Sequence, residues 1–268
     1  MTAALVERMA PEDLWTLFQR VVPPAPVRPQ GGGHRRRGDR EVLAAIVFVA
    51  TSGCIWNQLP PGCGLSGVTA FRRFTEWTEA RVWAKLHRLV LDELGARGEL
   101  DWSRCAIDSV SVRALKGQLT GPNPTDRGKR GSKIHLIVDR QGLPLSVGIS
   151  AANLHDSQAL IPLVRDIPPI RSRRGLRRRR PGKLHGDKGY DYAHLRRWLA
   201  SRGIRHRLAR KGIESSRRLG RHRWVVEWTV SWLSGCRRLH RRYERKPEHF
   251  LAFTAIAATL ICHRRLTK

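Results

Sequence analysis

Cys105-Ala106-Ile107-Asp108-Ser109-Val110-Ser111-Val112-Arg113 is the stretch at which the chain changes character. Upstream, apolar residues recur at helical spacing. Here small and β-branched residues form a short run that reads as a strand. Lys133–Asp139 (Lys-Ile-His-Leu-Ile-Val-Asp) reads as a second strand and Leu143–Ser150 as a third. The tight Arg140-Gln141-Gly142 turn joins them as a hairpin. A helix over His155–Arg165, a strand beginning at Lys183–His185, a helix over Tyr190–Ser201, a strand over Ile204–Leu208 and an apolar helix over His222–Cys236 complete the series. The order β-β-β-α-β-α-β-α is that of a ribonuclease H-like domain, an α/β sheet with helices on both faces. No internal repeat is visible.

The part before this domain reads as all helix. Pro11-Glu12-Asp13 starts a helix with a first-turn proline and acids at the positive end of the dipole. Prolines 23, 24, 26 and 29 and Gly31-Gly32-Gly33 break it, and the exposed basic stretch His34-Arg35-Arg36-Arg37 follows. Asp39 is expected to N-cap a second helix that ends near Gly53, and Ser66 a third that carries Arg72 and Arg73 between Phe71 and Phe74. A fourth spans Arg81–Leu94. Helix, turn and basic helix suit a helix-turn-helix reader of DNA, and suit a plain helical bundle equally well. The expected division is a helical domain over residues 1–98, for DNA binding or oligomerisation, and the α/β domain over 99–268. In the latter the apolar run Phe250–Cys262 is too short to span a bilayer and should pack on the core.

Charge narrows the partner. The chain of 268 residues carries 51 Lys and Arg against 22 Asp and Glu, a formal net charge of +29. Such an excess points to a polyanion, with nucleic acid the default. Residues 1–100 hold only 13 basic and 10 acidic side chains, so the field belongs to the α/β part. Its densest stretch is the loop between Ile170 and Gly182, with seven arginines that are either solvated or lie on phosphate. The five scattered cysteines form no C-x-x-C pair, which argues against a zinc finger or a disulfide framework. A reduced cytoplasmic protein without a signal peptide is the expectation.

Three carboxylates stand out. Asp108 lies inside an apolar strand, where a carboxylate needs a cation: a metal ion, or a buried arginine. Asp187, in His-Gly-Asp-Lys-Gly-Tyr, falls where a strand ends, the place where ligands bind in α/β sheets, though a turn or cap role is the alternative. Glu227 sits in a helix apolar on nearly every side, with Arg223 four residues before it as an ion-pair alternative. Strand, later strand end, then helix is an order that could converge on two Mg²⁺ or Mn²⁺ ions about 4 Å apart, bound through hard oxygen ligands. Lys133 and His135 share a strand face and either approach phosphate or face solvent. Asp156 reads as a helix N-cap rather than as a further metal ligand. Trp224, Trp228 and Trp232 recur at i+4, which reads as core packing.

Several segments carry a resemblance. Gly53-Cys-Ile-Trp-Asn-Gln-Leu-Pro60, Arg130-Gly-Ser-Lys-Ile-His-Leu136, Asn153-Leu-His-Asp-Ser157, His185-Gly-Asp-Lys-Gly-Tyr190 and Arg223-Trp-Val-Val-Glu227 resemble motifs of bacterial insertion-sequence transposases of the DDE class, in the insertion sequence 5 family. The resemblance covers nearly the whole chain. It implies that Asp108, Asp187 and Glu227 are the catalytic and metal-binding triad. It implies an enzyme that binds the terminal inverted repeats of its element, cuts DNA and joins 3′-hydroxyl ends to target DNA, as at least a dimer, in the bacterial cytoplasm among nucleoid DNA. Arg35, Arg36, Arg37, Arg72, Arg73, Lys133, Lys188, Arg223, Arg237 and Arg238 are the expected DNA contacts. The chain departs from the family at Gly220 and Ser234, where relatives often carry Tyr and Lys. Arg237 or Arg238 is expected to supply the missing contact to the terminal phosphate. A nuclease that cuts without joining and a decayed or domesticated DNA-binding relative are the competing readings.

Overall fold

The computed structural model describes residues 3–25, 36–213 and 216–267, and for 216–223 the backbone alone. Five helices come first: α1 (Ala3–Met9), α2 (Glu12–Gln19), α3 (Asp39–Ser52), α4 (Gly67–Glu79) and α5 (Val82–Arg97). Then follow β1 (Cys105–Ala114), the short β2 (Gly121–Pro122), β3 (Arg130–Val138), β4 (Pro144–Ala151), α6 (Ser157–Asp166), β5 (Lys183–Gly186), α7 (Ala193–Ser201), β6 (Arg205–Leu208), α8 (Ser216–Ser234), the two-residue β7 (Arg241–Arg242) and α9 (Pro247–Leu266).

One sheet organises the α/β part. β3 pairs antiparallel with both β1 and β4, β1 pairs parallel with β5, and β5 pairs parallel with β6. The resulting order β4-β3-β1-β5-β6, antiparallel on one side and parallel on the other, is the ribonuclease H-like arrangement read from the element order. The hairpin turn is built on Asp139, whose Oδ1 accepts the N–H groups of Gln141 and Leu143 at 2.8 and 2.9 Å while Oδ2 accepts that of Asp101 at 2.9 Å. Burial raises the pKa of this carboxyl to about 6, against the pull of those N–H groups.

The helical part packs as a bundle on α9 rather than standing apart. Phe74 of α4 stacks on Phe253 of α9 with centroids 4.6 Å apart, and Phe18 of α2 meets Trp77 edge-on at 4.9 Å. The α9 helix is buried nearly throughout, because its small Ala and Thr positions let α5, β4 and α8 close around it. No helix of the described residues is long and apolar enough to cross a membrane.

Three local expectations need correction. Asp39 does not cap α3: Gly38 occupies the cap position, and the Asp39 carboxylate is engaged by Arg73 and Arg36. Asp156 does not cap α6 through its side chain either, since it accepts from Ser109 Oγ at 2.9 Å and pairs with Lys133 at 3.0 Å. The pair α3–α4 is not a tight helix-turn-helix. Gly53–Ser66, with two 3₁₀ turns, separates the two helices, where that motif uses a turn of about 3–4 residues. Ser66 does cap α4, accepting from Thr69 N at 3.2 Å.

Candidate active site and nucleic-acid contacts

β1 and β5 bring two of the three carboxylates together. Their parallel ladder runs Cys105 against Leu184 and Ala106 against His185. Continued by two residues, the same register sets Asp108 level with Asp187. Side chains alternate along a strand. A Cβ on Gly186 would meet Leu208, Ile107 and Tyr190 at 2.9–3.1 Å, so glycine is what lets β5 close against these neighbours. Ile107 and that vacant position therefore share one face, and the alternation of β1 turns Asp108 to the other. α6 covers the Ile107 face, where Ser109 donates to Asp156.

Each carboxylate is held. Asp108, half-buried, accepts the Ser109 N–H at 2.8 Å. Asp187 caps the 3₁₀ turn Lys188–Tyr190 by accepting from Gly189 N at 2.9 Å. The cap alternative for Asp187 is thus present, but it occupies only Oδ1.

Glu227 projects from α8, which packs across β1, β3 and β5. Val225, Val226, Thr229 and Leu233 form the buried face of this helix, and Thr229 Oγ1 donates to the Gly142 carbonyl at 2.6 Å. Glu227 lies on the exposed side. The Arg223 side chain, its alternative partner, lies outside the described residues. Among the described residues no three His, Cys, Asp or Glu side chains stand close enough together to hold a metal ion. The parallel register thus sets Asp108, inside β1, level with Asp187, just past the end of β5, and Glu227 lies on α8. The donor set at the strand end is hard carboxylate oxygen, which suits Mg²⁺ or Mn²⁺ in kind.

The basic residues divide sharply. Arg37, Arg72 and Arg237 are exposed, and Lys188 is half-buried beside Asp187. Arg36 reaches Glu76 at 2.9 Å. Lys133 is committed to Asp156 and to the Leu154 carbonyl. Arg73 is buried against Asp39 and Trp77, so it cannot lie on phosphate as expected. Arg238 is also withdrawn from that role. It is 4% exposed, bonded to Glu244 at 2.8 Å and to the Cys54 carbonyl at 2.9 Å, and it rests on Phe253. Of the two candidates for the missing phosphate donor, only Arg237 is at the surface. Arg35 lies outside the described residues.

His135 does not face solvent or phosphate. It is buried, bonds Ser150 Oγ at 2.7 Å, and burial lowers its pKa to about 4, which keeps it neutral.

Core packing does not describe the α8 tryptophans. Trp224, Trp228 and Trp232 are 39%, 53% and 38% exposed, and Trp224 meets Trp228 edge-on at 3.9 Å. The available signal was the smaller set Val225, Val226, Thr229 and Leu233, whose spacing gives the helix its inner face and turns the indoles outward.

The chain has matching relatives along its length. The family described as "Transposase DDE domain" matches residues 101–262, and the family described as "Putative transposase of IS4/5 family" matches residues 11–87. A Burkholderia cepacia protein named "Putative transposase for insertion sequence element IS402" is 44% identical over 149 residues, 56% of this chain and 71% of the relative. A second Burkholderia cepacia protein, an uncharacterised 16.2 kDa product of the same element, is 43% identical over 117 residues, 42% of this chain and 79% of the relative. Among solved structures, the catalytic domain of the Mos1 mariner transposase aligns with a TM-score of 0.27 at 9% identity, covering 67% of this chain and 91% of that one. With one family matching more than half of the sequence and an IS402 relative at 44% identity, this chain belongs to the DDE transposases of bacterial insertion sequences.

Proposed function

We propose that the chain binds the terminal inverted repeats of its insertion sequence, hydrolyses a phosphodiester at each end, and joins the freed 3′-hydroxyl to target DNA. The register that levels Asp108 with Asp187 carries this reading. One carboxylate inside β1 and one at the end of the neighbouring β5 suit phosphoryl transfer, in which a protein does little beyond positioning groups and placing charge. Asp108 and Asp187 would hold Mg²⁺ or Mn²⁺, with two ions expected, and Glu227 would join them once DNA and metal are bound. When bound, the metal supplies activation of the attacking oxygen and stabilisation of the leaving one. The residues of the chain do the rest. Ser109 N–H and Gly189 N–H orient the two carboxylates. Lys188, next to Asp187, offers a cation to the scissile phosphate. Arg237 offers a second cation at the surface near the C-terminal end of α8, in place of the buried Arg238. Arg36, Arg37 and Arg72 extend the contact with double-stranded DNA on the helical side. Pairing two ends calls for at least a homodimer, working on nucleoid DNA in the bacterial cytoplasm.

Among the described residues the three carboxylates do not form a ready metal-holding group, and that supports a second reading: a relative that binds DNA without cutting it. A labelled duplex carrying the element's own ends distinguishes the two. Wild type should cut it with Mg²⁺ or Mn²⁺, and precut ends should then be joined to a second duplex. Asp108→Asn should bind but not cut. Equal cutting by both proteins would remove Asp108 from the chemistry. Cutting without joining would leave a nuclease, and binding without cutting would favour the non-catalytic relative.

A further inference from the structure

The arginine loop between α6 and β5 is a built feature rather than a loose tail. Ile170 and Arg178 exchange backbone hydrogen bonds at 2.8 and 2.7 Å, and Ser172 Oγ donates to the Arg174 and Leu176 carbonyls across the loop. Its anchor is Asp92 of α5, a carboxylate buried to 5% exposure. Asp92 accepts the Arg171 N–H at 2.8 Å and Arg177 Nη1 at 2.8 and 2.9 Å. Gly95 completes the docking: a Cβ there would overlap the Arg171 carbonyl.

This anchoring sets the loop beside the outer face of α5. Lys85 and Arg88 are both exposed and three residues apart, so they share one side of that helix, and the exposed Arg81 immediately precedes it. Between the helix and the loop runs a groove of about 360 Å³, lined by Arg20, Lys85, Arg88, Arg171 and Arg177. Its two acids are already engaged, Asp92 with Arg177 and Glu93 with Arg20 at 3.7 Å. Among the described residues, Lys85, Arg88, Arg171, Arg173 and Arg174 make no ion pair. Five uncompensated cations on an anchored surface repel one another unless an anion meets them.

The position of this surface is as informative as its charge. The loop leads into the first residue of β5, whereas Asp187 follows the last. The four-residue rise from Lys183 to Asp187 separates them by about 13 Å along the strand. The loop and Asp187 thus stand at opposite ends of β5.

We propose that the α5–arginine-loop face is a second DNA-binding surface, which holds the phosphate backbone of a duplex segment away from the cut site. The proposal rests on the reading of the chain as a DNA-processing enzyme. The segment is either a continuation of the duplex being cut or a separate duplex, and both present the same phosphate chemistry.

The test uses full-length protein and fluorescence anisotropy at a series of salt concentrations, with a short duplex confined to the cut site, a long duplex extending well beyond it, and the short duplex plus an unlinked competitor duplex. The variants are R171Q/R173Q/R174Q on the loop and K85Q/R88Q on α5, all exposed positions whose thermal transitions should match wild type. The triple variant should flatten the log-affinity against log-salt slope for the long duplex by about 2 to 3, near one for each phosphate the three arginines neutralise. Its affinity for that duplex should fall about 10-fold or more at moderate salt, while cutting of the short duplex at saturation stays at the wild-type rate. The α5 variant should show the same loss in smaller measure. Weakening seen only for the long duplex identifies a continuing duplex, and weakening of competitor capture identifies a separate one. Unchanged slopes in both variants, with wild type still binding, overturn this proposal alone. Loss of short-duplex cutting in step with binding overturns the separation from the cut site. A wild type that binds no duplex overturns both this surface and the DNA-processing reading.

Discussion

The two long C-terminal helices, α8 and α9, are built from opposite materials. α9 carries Ala, Thr, Ile and Phe and is buried along nearly its whole length, from His249 to His263. α8 carries three tryptophans and exposes all of them. In α9 the small residues let neighbours approach on every side, and burial of apolar area stabilises the fold. Among the described side chains of α8, a strip of Val225, Val226, Thr229 and Leu233 is buried, and the same helix carries Glu227 on its outer side. One helix serves stability. The other leaves its three indoles and Glu227 at the surface.

The sharpest way to break this contrast is a function-only loss on α8. Glu227→Gln should reduce metal-dependent cutting by at least about 10³-fold, or about 4 kcal/mol of barrier, with the urea midpoint unchanged. A midpoint shift as large as the catalytic loss would make Glu227 a structural residue instead.

On α9 the expectation reverses. Phe253→Ala removes a fully buried ring that stacks on Phe74, and should cost about 3–5 kcal/mol in equilibrium unfolding. The adjacent arginines sharpen the comparison. Arg238→Ala strands the buried Glu244 carboxylate and should destabilise by about 3–5 kcal/mol, whereas Arg237→Ala should leave stability within about 0.5 kcal/mol and weaken end binding. If Arg238→Ala instead folds normally and loses only DNA affinity, Arg238 is a phosphate donor and its pairing with Glu244 contributes nothing to the fold.

A pH effect of intermediate size tests the packing around α9. His87 of α5 is buried, with Nε2 3.0 Å from the Pro144 carbonyl and 3.9 Å from Cys262 Sγ, and burial lowers its pKa to about 4. The unfolded chain takes up this proton near pH 6.5 and the folded chain only near pH 4. The stability that neutral His87 contributes is therefore complete above about pH 6.5 and is lost as pH falls toward 4, by on the order of 3 kcal/mol. His87→Gln, which keeps a donor for Pro144, should flatten the stability profile across that window. Asp139 contributes in the opposite sense, since its raised pKa makes stability fall as pH rises from its ordinary value toward about 6. The smallest effect belongs to α8 again: Trp228→Ala should change unfolding by no more than about 0.5 kcal/mol. A cost of several kcal/mol would return the indoles to the core.

Much of this was legible in the chain. Local signals decide the strands Cys105–Ala114, Arg130–Val138 and Pro144–Ala151, the hairpin turn and the helix caps at Ser66 and Gly53, because period, turn chemistry and capping act over a few residues. Motif order led to the proposal of Asp108, Asp187 and Glu227 as the catalytic set. The sequence by itself could not say which cations were available. Arg73 and Arg238 look like their exposed neighbours Arg72 and Arg237, and only the approach of Asp39 and Glu244 from distant or folded-back segments buries one of each pair. The outward turn of the α8 tryptophans follows from which helix face meets β1, β3 and β5. The charge of the 170–182 loop is written in its composition, but its role depends on Asp92, some 80 residues earlier, fixing it beside α5. Local chemistry determined the elements and the kinds of group they carry. Tertiary packing decided which of those groups keep their charge free for a partner, because burial and ion pairing are properties of neighbours that the sequence places far apart.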